Sequence, residues 1–230
     1  MKKFLIKLLY PYRCPFCGQL IEGGICRECQ KKLEFITSPV CLKCGRKVAR
    51  EQDALCPECE KRELFFDAGR GLFAHKEPVR TALYNLKFHN QRYAGEIFGK
   101  LLARRFGETI QRWEIDCVIP VPLSPRRQRK RGFNQAEAIA RPFAEEMGLI
   151  CRTDLIYRWK DTMPSKYLTP RERRKNLQDA FGVQPEIAQY RNILLIDDIY
   201  TTGATVSAIS KKIKEKDVKG VYFLTASIGQ

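Results

Sequence analysis

ILLIDDIYTTGAT, residues 193–205, decides how this chain is read. Ile193–Ile196 form an unbroken apolar run, as expected of a strand buried on both faces. Asp197 and Asp198 close the run, and Thr201-Thr202-Gly203-Ala204-Thr205 follows as a tight turn. Beyond it, Val206, Ile209 and Ile213 recur at helical spacing, which predicts a helix from about Ala204 to Lys216. In parallel α/β sheets, ligands bind beyond the carboxyl ends of the strands, which is where the acidic pair falls. Gly203 permits close backbone approach, and the N-terminus of the following helix offers N–H groups and partial positive charge to an anion. Two carboxylates facing a phosphate would repel it. The string makes sense if Asp197 and Asp198 meet hydroxyls or a metal while Thr201–Thr205 meets a phosphate nearby; a sugar phosphate presents both faces. The competing reading is an acidic turn with a Ser/Thr helix cap.

Outward from this stretch the pattern stays α/β from about Phe66. AGRGLFAH reads as a strand, and Pro78 is placed to start a helix with Val79, Leu83 and Leu86 on one face. YAGEIFGKLLARRF reads as a second helix with Ile97, Leu101 and Phe106 inward, and IDCVIPVP (115–122) as a short buried strand. A further helix from about Asn134 to Met147 contains Pro142, where loss of the bond to the Ala138 carbonyl, at ~3 kcal/mol, predicts a kink. GVYFLTAS closes the sheet. Alternating strands and helices predict a mainly parallel, doubly wound sheet.

The first 60 residues differ. Cys14/Cys17, Cys26/Cys29, Cys41/Cys44 and Cys56/Cys59 are four C-x-x-C pairs, repeating as two units of 16 and 19 residues. Such turns let two thiolates converge on one tetrahedral metal at ~2.3 Å. Two structural Cys₄ zinc sites are expected; the repeat favours sequential pairing, and the spacing also allows a crossed one. Disulfides fit poorly without a secretion signal, because the basic start of KKFLIKLLY is interrupted by Lys7 and reads as a short packing helix. Cys117 and Cys151 read as small core residues, and His75 and His89 as core or surface residues. No run approaches the ~18 apolar residues of a membrane span, so the expected location is cytoplasmic. The division expected is 1–65 for the metal module and 66–230 for the α/β domain.

The formal net charge is +16. Residues 120–180 alone hold 14 basic and 7 acidic side chains, so the excess sits mainly in the second part and argues for an anionic partner.

ILLIDDIYTTGAT resembles the ribose-5-phosphate loop of type I phosphoribosyltransferases. Together with the four cysteine knuckles, VIPVPLSPRRQRKRGFNQA (118–136) and RERRKNLQDAFGV (171–183), the chain is similar over nearly its whole length to the ComF family of competence-associated proteins, which couple a double zinc ribbon to a type I phosphoribosyltransferase-like domain. The resemblance implies phosphoribosyl diphosphate (PRPP) with Mg²⁺ as ligand. Asp197 and Asp198 would hold the ribose 2′- and 3′-hydroxyls, directly or through Mg²⁺, and Thr201, Thr202, Gly203, Ala204 and Thr205 would surround the 5-phosphate. Val121, Pro122 and Leu123 occupy the place of the pyrophosphate loop, with Arg126, Arg127 and Arg131 available to the diphosphate. Residues 161–176 would form a lid, with Arg171 and Arg174 as anion contacts and Asn176 at its base. The family's Thr-x-x-Gln is here Thr162-Met163-Pro164-Ser165, so the glutamine contact is missing.

Three functions fit the sequence: a Mg²⁺-dependent phosphoribosyltransferase with an unidentified acceptor, a module that binds single-stranded DNA through RRQRKR and RERRK with Phe133 and Tyr167 as stacking candidates, and a ribbon scaffold on a DNA-uptake helicase or other competence proteins. On the scaffold reading, removing residues 1–62 leaves PRPP binding intact.

Overall fold

The computed structural model describes residues 12–160, 177 and 179–229. The expected N-terminal helix and the 161–176 lid, with Arg171, Arg174, Asn176 and Tyr167, lie outside the described residues.

Five parallel strands form the central sheet: β1 (Ala68–Ala74), β2 (Cys117–Pro120), β3 (Ile150–Cys151), β6 (Asn192–Tyr200) and β7 (Gly220–Ile228). Their spatial order is β1-β7-β6-β2-β3. A separate antiparallel pair, β4 (Ile156–Arg158) with β5 (Phe181–Val183), completes the strands. The sheet is mainly parallel as expected, but GVYFLTAS, as β7, sits between β1 and β6 rather than at an edge. The strand expected at 115–122 is confined to Cys117–Pro120, since Pro122 has no N–H to give a ladder.

Helices cover both faces. On one side pack α3 (Val79–Phe88), α4 (Arg92–Arg112) and α6 (Gln135–Met147), burying Leu83, Leu86, Phe98, Leu102, Ile139 and Phe143 against Leu194, Ile196 and Leu224. On the other side lies α7 (Ala204–Lys214), whose Val206, Ile209 and Ile213 pack on Ile193, Leu195, Val221 and Phe223. The α4 stripe differs from expectation in one residue. Leu102 is buried and Leu101 only half so, because α4 is gripped by both the sheet and α6 and presents a wider apolar face. Pro142 does not divide α6; its ring lies at the α4 contact opposite Gly99.

The metal module, with its short helices α1 (Arg27–Lys32) and α2 (Pro57–Glu60), straddles the β1 edge. Cys14, Phe16 and Cys29 join the core on the α4 face, whereas Cys41, Cys44, Cys56, Cys59 and Phe66 join the core on the α7 face. Between them Phe35 bridges Phe73 in antiparallel sense, and the Ile36 N–H donates to the Leu72 carbonyl at 3.0 Å. Further along, the Gly69 N–H donates to the Lys43 carbonyl at 2.8 Å. The outer side of β1 is thus covered by the ribbon segment, which satisfies part of an otherwise open ladder.

Among the described residues no helix is long and apolar enough to cross a membrane.

Candidate functional site

The strand order creates one crevice. From β2 the chain passes through α5 (Pro125–Arg131) and α6 to β3 on one side, while from β6 it passes through α7 to β7 on the other. β2 and β6 are neighbours whose connections diverge, and such a switch point opens a cleft beyond their carboxyl ends. The Val121 N–H donates to the Ile196 carbonyl at 2.8 Å, so the turn Val121–Leu123 starts directly beside Asp197. Asn134 secures this turn: its Nδ2 donates to the Val121 carbonyl at 3.0 Å, while its Oδ1 accepts from the Ala136 N–H and caps α6.

Asp197 and Asp198 belong to the end of β6, not to the turn after it, and both are half-buried. The Asp198 N–H donates to Asp197 Oδ1 at 2.8 Å. Burial, then the neighbouring Asp198 charge, raises the Asp197 carboxyl well above the usual range; Lys87 opposes the rise. Lys87, in the last turn of α3, forms an ion pair with Asp198 Oδ2, both side chains being largely shielded. Arg131 lies within electrostatic reach of both carboxylates. Its Nη1 donates to Gln135 Oε1 at 2.6 Å and its guanidinium sits 5.2 Å from the Phe88 ring centre. Burial lowers its pKa, and the two aspartate charges resist that fall. His75 follows β1 and shares a hydrogen bond of 3.0 Å with Ser227 Oγ. Burial first, then Lys87 and Arg80, depress its pKa, favouring the neutral ring.

Thr201 and Thr202 are exposed, Gly203 is buried, and Ala204 and Thr205 are half-buried at the start of α7. Gly203 has φ of +71°, and a Cβ there would stand 2.4 Å from the Tyr200 hydroxyl oxygen, so only glycine fits. Thr202 Oγ1 accepts from the Ala204 N–H at 3.4 Å. The ribbon reaches the same loop: Arg46 Nη2 donates to the Thr201 carbonyl at 2.7 Å, and Arg62 Nη1 to the Thr202 carbonyl at 3.3 Å. Tyr200, stacked on Phe223 at 4.7 Å, has its phenol pKa pushed up by burial and then by Cys44 and Cys59.

The sequence-derived set therefore gathers in part. Asp197, Asp198, Thr201–Thr205, Val121–Leu123 and Arg131 share one edge of the sheet, whereas Arg126 and Arg127 stand exposed on α5. Lys87 and His75 were not anticipated. Phe133, expected as a stacking residue, is buried with the Arg92 guanidinium 4.6 Å over its ring, so it offers no open face. Tyr84 and Phe88 are instead exposed, with ring centres 4.9 Å apart.

The cysteines form two four-thiol groups with sequential pairing, Cys14/Cys17/Cys26/Cys29 and Cys41/Cys44/Cys56/Cys59, each with sulfurs within 4.8 Å of one another. A tetrahedral ZnS₄ centre with ~2.3 Å bonds needs sulfurs about 3.8 Å apart. Cys17 and Cys26 are 3.6 Å apart, and Cys44 and Cys56 3.7 Å, so both groups suit a structural zinc. Cys117 is buried as expected, but Cys151 is only half-buried because β3 is a two-residue edge strand.

Residues 5–60 match the family model for a double zinc ribbon domain. The chain is 29% identical over 220 residues to Competence protein F of Haemophilus influenzae, covering 92% of this chain and 95% of that one. It is 26% identical over 223 residues to Competence protein ComFC of Streptococcus pneumoniae, covering 91% and 96%. Against the DNA utilization protein YhgH of Escherichia coli K12 the identity is 27% over 212 residues, covering 84% and 91%. With a double ribbon ahead of a parallel α/β domain, the chain is similar along nearly its full length to competence protein F, ComFC and YhgH.

Proposed function

We propose that this protein binds a phosphorylated ribose, PRPP with Mg²⁺ in the first place, at the β2/β6 crevice, and serves the uptake or use of DNA in the cytoplasm. The observation that carries the reading is the half-buried acidic pair at the end of β6, followed at once by a loop that only glycine can close and by the N-terminus of α7. Asp197 and Asp198 would accept from the ribose hydroxyls, and Thr201–Thr205 would surround the 5-phosphate. Val121–Leu123 and Arg131 would face the diphosphate. The donor set also suits a hard cation, because two carboxylates held side by side offer it charged oxygen ligands. Bound Mg²⁺ would supply charge for a departing diphosphate. The names of the relatives support the DNA role, with competence proteins as partners.

A second reading, single-stranded DNA binding, gains support from the surface beside the crevice. Arg126, Arg127, Arg129 and Lys130 are exposed on α5, and the exposed Tyr84/Phe88 pair adjoins Arg131. Cations with open aromatic faces suit a flexible polyanion with bases to stack.

Calorimetric titration with PRPP and Mg²⁺, repeated with an oligodeoxythymidylate present, tests both. PRPP should bind the wild type and fail to bind Asp197→Asn/Asp198→Asn; no heat at millimolar PRPP sinks the first reading. Oligonucleotide affinity should fall with salt, and replacing Arg127, Arg129 and Lys130 by alanine should flatten the log–log slope by about 2. A salt-independent affinity rules out phosphate contact.

A further inference from the structure

We infer that the second zinc ribbon sets the conformation of the phosphate loop, through Arg46 and Arg62 acting as positioning residues. This rests on the ribose-phosphate reading of the loop. The Thr201 carbonyl accepts from Arg46 and the Thr202 carbonyl from Arg62, across 155 and 140 residues of sequence. The only cis bonds among the described residues are Ser38–Pro39 and Glu77–Pro78, so both loop peptides are trans and planar. In such a unit the carbonyl and the N–H point in opposite directions. Holding the Thr201 carbonyl toward the ribbon therefore turns the Thr202 N–H away from it. Holding the Thr202 carbonyl does the same for the Gly203 N–H. Neither N–H donates to any group among the described residues. The two donors thus face away from the ribbon, ready for an anion, and two guanidinium charges stand behind them.

The metal enters because it places the arginines. Arg46 lies two residues beyond Cys44, and Arg62 three beyond Cys59, so both leave the same four-thiol group. Gly45 presses on β1, where a Cβ would lie 2.6 Å from the Gly69 carbonyl oxygen, which fixes the height of the Arg46 stem above the sheet. Arg62 is further steadied by Glu58 at 2.9 Å. The loop, with its left-handed glycine, could adopt other peptide orientations; the arginines select one. Arginine suits the task, since its fork is rigid and keeps its charge.

The test compares wild type with Arg46→Ala, Arg62→Ala, the double alanine variant and the Arg→Lys pair. Zinc content is measured on each and should stay at two per chain. Calorimetric affinity for ribose 5-phosphate should fall about 5- to 10-fold per alanine, the loss expected for the net contribution of one ordinary hydrogen bond, and lysine should restore part of it. ¹⁵N relaxation at Thr202 and Gly203 supplies a readout that needs no ligand: order parameters should drop in the alanine variants and recover with lysine. Unchanged order parameters overturn the inference whatever the affinity does. A wild type that binds no ribose 5-phosphate, while its Thr202 and Gly203 amides still loosen in the variants, sinks the ligand assignment and leaves the arginines as loop-positioning residues. Undiminished affinity in the double alanine variant, with the wild type binding, overturns the role in recognition.

Discussion

Asp197 is held where its charge is costly. Its pKa is raised in the folded protein by burial and by Asp198, so the native chain keeps this proton to higher pH than the unfolded chain does. Where the native state binds more protons, stability falls as pH rises. The loss should begin near the ordinary carboxylate value, about 4, and be complete above the raised native value. Asp197→Asn should therefore melt higher than wild type at pH 7.5, by about 2–4 °C for each kcal/mol relieved, and the gap should close toward pH 4. The same variant should lose PRPP. A lower melting point at pH 7.5 would mean that the carboxylate is stabilised by its surroundings rather than strained. At this scale the sequence was a good guide where a residue's placement depends on its immediate neighbours. Asp197, Gly203 and the cysteine knuckles are read from strings of a few residues. Lys87 was hidden, because a lysine in the last turn of a helix is what the helix dipole alone would favour. His75 was hidden because its partner, Ser227, lies 152 residues away.

Elements were legible from apolar periodicity, but their mutual approach was not. The α4 pattern showed Ile97, Leu101 and Phe106 and passed over the glycines beside them. In the fold, a Cβ on Gly95 would come 2.8 Å from Ala138 Cβ, and one on Gly99 would come 2.5 Å from the Ile139 carbonyl oxygen. These two positions, one turn apart, let α4 and α6 lie backbone to backbone. Gly107, on the same helix, has nothing nearer than Met147 Sδ at 3.8 Å. Gly95→Ala and Gly99→Ala should each destabilise by about 1–3 kcal/mol through overpacking, despite the helix propensity gained. Gly107→Ala should stabilise by up to about 1 kcal/mol. Denaturant titration of the three variants checks the contrast; equal effects would mean that α4 and α6 can move apart freely.

For the whole molecule, the chief revision concerns the relation between its two parts. The change of pattern near Phe66 suggested a metal module followed by an α/β domain, and the scaffold reading a deletion of residues 1–62 that abolishes partner capture yet spares PRPP binding. Hydrogen bonds from Arg46 and Arg62, the Lys43 carbonyl that accepts from Gly69, the Phe35–Phe73 bridge and the ribbon cysteines in both cores argue for the opposite outcome. Deleting residues 1–62 should expose the outer edge of β1, lower the melting temperature and promote aggregation, as unprotected edge strands do. Size-exclusion chromatography beside a thermal melt would show this; a monomeric product with an unchanged melt would restore the two-domain view. No local pattern could have revealed the arrangement, since each contact joins segments far apart in the chain.

Among the described residues β7 is the one strand of the sheet that ladders with β1, Ala68 pairing with Tyr222 and Ala74 with Ile228. During synthesis, therefore, the ribbons can take up metal early while the strand they embrace has no partner from the sheet until some 150 residues later have been translated. At ribosomal speeds of about 5–20 residues per second, that interval lasts on the order of ten seconds. For its duration the N-terminal segment guards an unpaired strand, and the protein commits to its final form only when β7 arrives.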